Sequence, residues 1–179
     1  MAQVIEAIDD RLRAWIEAQP MFFVGTAAAD GHVNISPKGY DTFRVLGPHR
    51  VGYLDLTGSG VETIAHLATL DRITFMFCAF SGPPRILRLY GRGNVVLPED
   101  AGWAGAVAPF EVMPGTRAVI TADLDRISTS CGYAIPNMAL EGDRPELIRW
   151  AERKGDDGVA EYHRTKNAHS IDGLPGMPA

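Results

Sequence analysis

The stretch MFFVGTAAADGHVNISPKG, residues 21–39, decides between an antiparallel and a parallel β architecture. MFFVGTA (21–27) and HVNISPKG (32–39) each read as a strand, and AADG between them offers in Asp30-Gly31 the positive-φ residue a hairpin turn needs. A hairpin makes its strands antiparallel, whereas parallel neighbours would need a crossover of a dozen or more residues. In the second strand a period of two sets Asn34, Ser36 and Lys38 on one face and Val33, Ile35 and Pro37 on the other. An amide, a hydroxyl and an ammonium therefore stand in one row.

Working outward, VGYLDL (51–56), RITFMFCAF (72–80), RILRLYGRGNVV (85–96) and RAVITADLDRIST (117–129) bring the expected strands to six. Residues 3–19 place Val4, Ile5, Ile8, Leu12, Trp15 and Ile16 at helical spacing, opposite acidic and basic residues, which predicts an amphipathic helix. Ser59 with Glu62 three residues on is the spacing of a capping box, predicting a short helix from Ser59. PELIRWAERKG (145–155) and DDGVAEYHRTKNA (156–168) predict two further helices after a proline suited to the first turn. The tail SIDGLPGMPA is too rich in Gly and Pro for regular structure. The expected fold is mainly β with flanking helices, a small antiparallel barrel in a single domain over 1–179. Its core is 20–130, with an N-terminal helix in 1–19 and a helical extension in 131–179.

The 179 residues are 46% hydrophobic, enough for one core, and carry a formal net charge of -5. No basic run could track a phosphate backbone, so nucleic acid is not an expected partner. No apolar run approaches the roughly 18 residues of a membrane span, and the acidic start does not resemble a signal peptide. A soluble, cytoplasmic protein is expected. Two isolated cysteines, Cys78 and Cys131, announce neither a metal site nor a disulfide, and Cys131 is expected to be buried and inert. The five histidines show no metal spacing, and none is assigned to catalysis.

Three places carry the residue types that bind an anion. The row Asn34, Ser36, Lys38 offers one cation with hydrogen-bonding neighbours. TGSGVET (57–63) surrounds two glycines with Thr57, Ser59 and Thr63 at a helix start, where free N–H groups and the helix dipole favour negative charge. In GPPRILRLYGRG, alternation puts Arg88, Tyr90 and Arg92 on one face and Arg85, Leu87 and Leu89 on the other. Each has an ordinary reading as well: a solvated strand face, a capped helix, and surface arginines of a strand.

Taken in order, MFFVGTAAADGHVNISPKGYDTF, YLDLTGSGVETIAHL, RITFMFCAF and GPPRILRLYGRG resemble the pyridoxamine 5'-phosphate oxidase-like flavin-binding split barrels over residues 20–97. TSCGYAIP and KNAHSIDGLPG are similar to a subgroup described as pyridoxamine 5'-phosphate oxidase-related. The resemblance implies a six-stranded antiparallel split barrel, a homodimer, and FMN at the dimer interface. It implies Asn34, Ser36, Lys38, Ser59, Thr63, Arg85 and Arg88 as the cofactor-binding set. Val33 stands where the oxidase has an arginine, Glu62 where a basic residue would be welcome, and Ile86 where the oxidase has a glutamine. The implied function is an FMN-dependent oxidoreductase on an unknown small molecule rather than a true pyridoxamine phosphate oxidase. The alternative is a non-catalytic cofactor-binding or sensing barrel for flavin, haem or a deazaflavin.

Overall fold

The structure, a computed structural model, describes residues 3–178. The elements in chain order are β1 (Gln3–Ile5), α1 (Asp10–Glu17), β2 (Phe22–Thr26), β3 (Asn34–Lys38), β4 (Phe43–Gly47) and β5 (Arg50–Leu56). They continue with α2 (Glu62–Thr69), β6 (Arg72–Cys78), β7 (Ile86–Val96), α3 (Trp103–Val107), β8 (Thr116–Ser130) and α4 (Glu146–Lys166). Every strand pairing is antiparallel, and the order across the sheet is β3-β2-β6-β7-β8-β5-β4, with β1 added to β8. Among the described residues no helix is long and apolar enough to cross a membrane.

The hairpin forms as the sequence predicts, with Phe22 opposite Lys38 and Thr26 opposite Asn34. Its connection is longer than a tight turn, spanning residues 27–33 with Gly31 at φ 91°. Alternation along β2, β6 and β7 turns Phe22, Val24, Phe75, Phe77, Leu87 and Leu89 inward, all nearly or fully buried. Phe22 and Phe43 pack edge to face at 4.9 Å and Phe43 and Phe77 at 5.0 Å, so the aromatic core joins strands from the two ends of the sheet. The sheet curls until β3 and β4 approach, yet no ladder links them, and this seam is the split in the barrel.

The described residues hold eight strands, not the expected six, because β1 and β4 were not read from the sequence. The N-terminal helix predicted over 3–19 is shorter. Asp9 accepts the Leu12 N–H at 2.7 Å and starts α1 at Asp10, leaving Gln3–Ile5 free to pair with β8. The capping box at Ser59 does not form either. α2 begins at Glu62 with Val61 as an uncapped N-cap, and Glu62 Oε1 instead accepts the Ile171 N–H at 3.1 Å. In the last helical segment Gly155, at φ 65° and ψ 172°, marks the break the sequence placed there.

Candidate functional site

The seam brings three strands distant in sequence to one buried charge. Asp55, in the apolar run of β5, is fully buried and must find cations. Lys38 Nζ donates to Asp55 Oδ1 at 2.8 Å from β3, and Arg117 of β8 donates to Oδ2 through Nε at 2.9 Å and a terminal nitrogen at 2.7 Å. Burial alone would raise the Asp55 pKa, but Arg117 first and Lys38 second outweigh it and hold the carboxyl at about 2.

Arg117 also fixes the loop that leads into α2. Its other terminal nitrogen donates to the Gly60 carbonyl and to Asn167 Oδ1, both at 2.9 Å, and Asn167 Nδ2 donates to the Gly58 carbonyl at 3.1 Å. A trans peptide points its N–H opposite its C=O, so drawing the Gly58 carbonyl inward turns the N–H of the exposed Ser59 outward, whereas Val61 is buried. Among the described residues the Ser59 N–H has no protein acceptor, and residues 58–60 are exposed. Thr57, just before the loop, meets the Gly115 carbonyl and His163 Nε2, each at 2.8 Å. Burial, then the nearby Arg117 charge, lowers the His163 pKa and favours the neutral ring.

The row at 34, 36 and 38 shares one face, as its parity predicts, and the structure turns that half-buried face inward, where its groups pair with one another and with β2, β5 and α2. Asn34 Nδ2 donates to Thr26 and Thr63 hydroxyls at 3.1 Å each, and Ser36 donates to Asn34 Oδ1 at 3.0 Å. Val33 and Ile35 project outward, 70% and 69% exposed, from a strand whose second edge is unpaired. Asn34, Ser36, Lys38, Ser59 and Thr63 therefore share one corner of the fold. Arg85 and Arg88 do not. Arg88 stands opposite Met76, Met76 opposite Phe23 and Phe23 opposite Pro37, which puts Arg88 on the outer face, two strands beyond β2. There it donates to Ser130 at 3.3 Å, while the Arg85 guanidinium lies 5.1 Å over the Trp15 ring. Cys131 is exposed, not buried, because it follows the end of β8.

Beyond α4 the chain returns over this corner. The Met177 and Gly176 N–H groups donate to the carbonyls of Asn167 and Ala168 at 2.8 and 2.9 Å, folding residues 167–177 into a compact strap. Asp172 ties the strap to the hairpin, accepting the His32 N–H at 2.8 Å and standing 2.6 Å from its Nδ1. The hydrogen bond and charge of Asp172 raise the His32 pKa, while His32 lowers that of Asp172.

A cleft of about 190 Å³ opens in the seam, between the turn joining β3 to β4, the end of β5 and the start of α4. Lys38, Thr57 and Leu147 are among the residues that line it. Asp55, Arg117, Asn167 and His163 were all missed by sequence reasoning. For Asp55 a signal existed, since a carboxylate inside VGYLDL needs a partner wherever that strand is buried.

Comparison with known proteins agrees with this architecture. The family model for pyridoxamine 5'-phosphate oxidase matches residues 8–131. A pyridoxamine 5'-phosphate oxidase family protein of Aspergillus flavus, ustO, is 42% identical over 96% of this chain and 76% of its own. Among solved structures, HupZ of Group A Streptococcus superposes with a TM-score of 0.55 at 20% identity, covering 74% of this chain and 99% of that one. A Clostridium acetobutylicum protein related to general stress protein 26 gives 0.53 at 14% identity, covering 74% and 96%. Two structures this distant show a shared fold, and the family match with the Aspergillus relative shows descent: the chain belongs to the pyridoxamine 5'-phosphate oxidase family.

Proposed function

We propose that this chain is an FMN-dependent oxidoreductase acting on a small molecule other than pyridoxamine phosphate. The observation that carries the reading is the exposed loop 58–60 leading into α2, whose Ser59 N–H has no protein acceptor among the described residues and whose helix is tied to β3 through Thr63 and Asn34. Such a loop fits a phosphate, because backbone donors and the helix dipole act together on its oxygens. The Ser59 hydroxyl adds a donor, and Thr63 orients Asn34 beneath it. Lys38, held on Asp55 under the loop, contributes its field rather than a direct bond. The unpaired edge of β3, backed by Asn34 and Ser36, offers backbone groups to a flat polar ring. When bound, FMN supplies the hydride or electron transfer, and these residues hold and orient it.

Against pyridoxamine phosphate itself stands the lack of a clear counterpart in this sequence to the oxidase's Arg-Leu-His stretch that helps bind pyridoxal phosphate; Val33 and Glu62, where the family pattern has cations for the FMN phosphate, leave more of that phosphate to backbone and hydroxyl donors. Arg85 and Arg88 join this reading through a second copy of the chain, whose outer sheet face would bring them to the open edge. The exposed apolar residues Val4, Val33 and Ile35 favour such a homodimer. Light scattering should report twice the chain mass; a flavin-binding monomer at micromolar concentration would refute the shared site.

Ser59→Asp tests the phosphate position without touching the core, since Ser59 is exposed. Titration should show FMN binding weakened by roughly ten- to a hundred-fold, with riboflavin, which lacks the phosphate, little changed. Equal loss for both ligands would mean that the loop does not read phosphate. Absence of flavin bands after titration with excess FMN would remove the flavoenzyme reading itself.

A further inference from the structure

We infer that the strap 167–177 is a switch that keeps the Ser59 N–H open to an anion by holding the Glu62 carboxylate away from it. As control of a phosphate site the inference rests on the flavoenzyme reading, but the exchange of hydrogen-bond partners on which it turns does not require flavin.

Glu62 has two partners available to it. Ser59-Gly60-Val61-Glu62 has the spacing of a capping box, in which the carboxylate reaches back to the Ser59 N–H while the Ser59 hydroxyl accepts the Glu62 N–H. In the structure that box is open. The Ser59 N–H has no protein acceptor among the described residues, and Glu62 Oε1 takes the Ile171 N–H of the strap at 3.1 Å instead. The two alternatives exclude each other, because the N–H that a capping carboxylate would occupy is the one an anion at the loop needs.

The strap enforces the open form. Val61 stands at φ -127° and ψ 15°, outside the helical region, so α2 cannot extend back to Ser59. Gly176 packs on Val61 so closely that a methyl group at 176 would come within 2.6 Å of Val61 Cγ1. Asn167, at the root of the strap, holds the Gly58 carbonyl, and Asp172 clasps His32 of the hairpin.

The hold on Glu62 is nevertheless incomplete. Its other oxygen, Oε2, is buried without a hydrogen-bond partner, as is His66 Nε2, and the 3.9 Å between them is too long for a hydrogen bond. An unpaired buried oxygen costs free energy, which a move to the exposed loop would relieve. The move is short, since Oε1 already lies 3.6 Å from where a side chain at Gly60 would begin. The outer ties of the strap lie at the surface, Ile171 being 72% exposed and the His32 side chain 75%, so residues 169–173 can lift while the barrel core stays packed. Linkage makes the coupling reciprocal: an anion on Ser59 favours the closed strap as strongly as the closed strap favours the anion.

Two substitutions release Glu62 by different routes. Ile171→Pro removes the N–H that holds it, at an exposed position, and Gly176→Ala pushes the strap off Val61. Without flavin and at one pH, exchange of the Ser59 amide with water, followed by NMR, should slow at least ten-fold in either variant, because that N–H gains a carboxylate acceptor. Adding Glu62→Ala to either should restore the wild-type exchange rate. FMN should bind each strap variant at least ten-fold more weakly and each Glu62→Ala double variant as tightly as the wild type, while riboflavin should bind all of them alike. Unchanged Ser59 exchange in Ile171→Pro and Gly176→Ala proteins folded by circular dichroism would overturn the switch. So would slowed exchange that persists with alanine at 62, or FMN affinity that stays constant while Ser59 exchange slows. If Ser59 responds as stated and the wild type binds no FMN, the switch stands and the flavin reading fails; if FMN binds every variant alike and Ser59 exchange never changes, the reverse holds.

Discussion

Asp55→Asn should lower stability by about 3–5 kcal/mol, the cost of leaving a buried cation without its anion. In a chain of this length that corresponds to a fall in melting temperature on the order of 10 °C. The substitution preserves shape, so the loss isolates the charge. Arg117 is 3% exposed and cannot retreat into water, while Lys38, whose side chain is 18% exposed, can relax partly. The acid limb of the wild-type stability curve provides a second measure. A carboxyl held at about 2 against an ordinary 3.8 stabilises the fold fully above about pH 4, and this contribution is lost as pH falls toward 2. It amounts to about 2 kcal/mol. The Asp55→Asn protein should lack that component of acid sensitivity. A denaturation midpoint unchanged by the substitution would show that the two cations find other partners.

The second large effect is expected at Gly91. Tyr90 pairs with Arg126 and Gly91 with Leu124, so β8 carries one extra residue, Asp125, in a bulge that presses its backbone against β7. A methyl group at 91 would collide with the Asp123 carbonyl oxygen and crowd the Leu124 Cα at 3.0 Å. These are backbone atoms of a central strand, so the collision cannot be relieved by a rotamer change. Gly91→Ala should destabilise by about 3 kcal/mol in chemical denaturation. Gly105 provides the contrast, since it lies in α3 with open space around it, and alanine there should be neutral or slightly stabilising. Similar midpoints for the two variants would mean that the bulge opens to accept the methyl group.

The hairpin at 22–38 was legible because its signal is local: two alternating runs and a glycine between them. β4 was hidden, although Phe43 and Val45 alternate inward, because the run is only five residues long and follows directly on another strand. β1 was absorbed into a helix because Val4 and Ile5 also fit a helical face; Asp9, the cap, was the residue that could have separated them. At the site, alternation correctly grouped Asn34, Ser36 and Lys38, yet alternation assigns residues to a face without saying which face of the sheet looks inward. Arg88 therefore has a regular place in its strand and still lies outside. The buried charge cluster was out of reach for a different reason. Its members are separated by 17 and 62 residues, and only closure of the sheet around β3, β5 and β8 makes them neighbours.

The strap over the loop sets an order of events during synthesis. Asp172 meets His32 across 140 residues, and Asn167 secures the Gly58 carbonyl across 109. Contacts so distant form late, because the intervening chain must be confined first. A nascent chain can complete the β2–β3 hairpin and close its aromatic core while the carbonyls of the glycine loop are still only half secured. The loop therefore reaches its final shape only after residue 167 has left the ribosome. Under the proposed reading, FMN capture at this corner would be a step of maturation that follows folding of the barrel, not one that guides it.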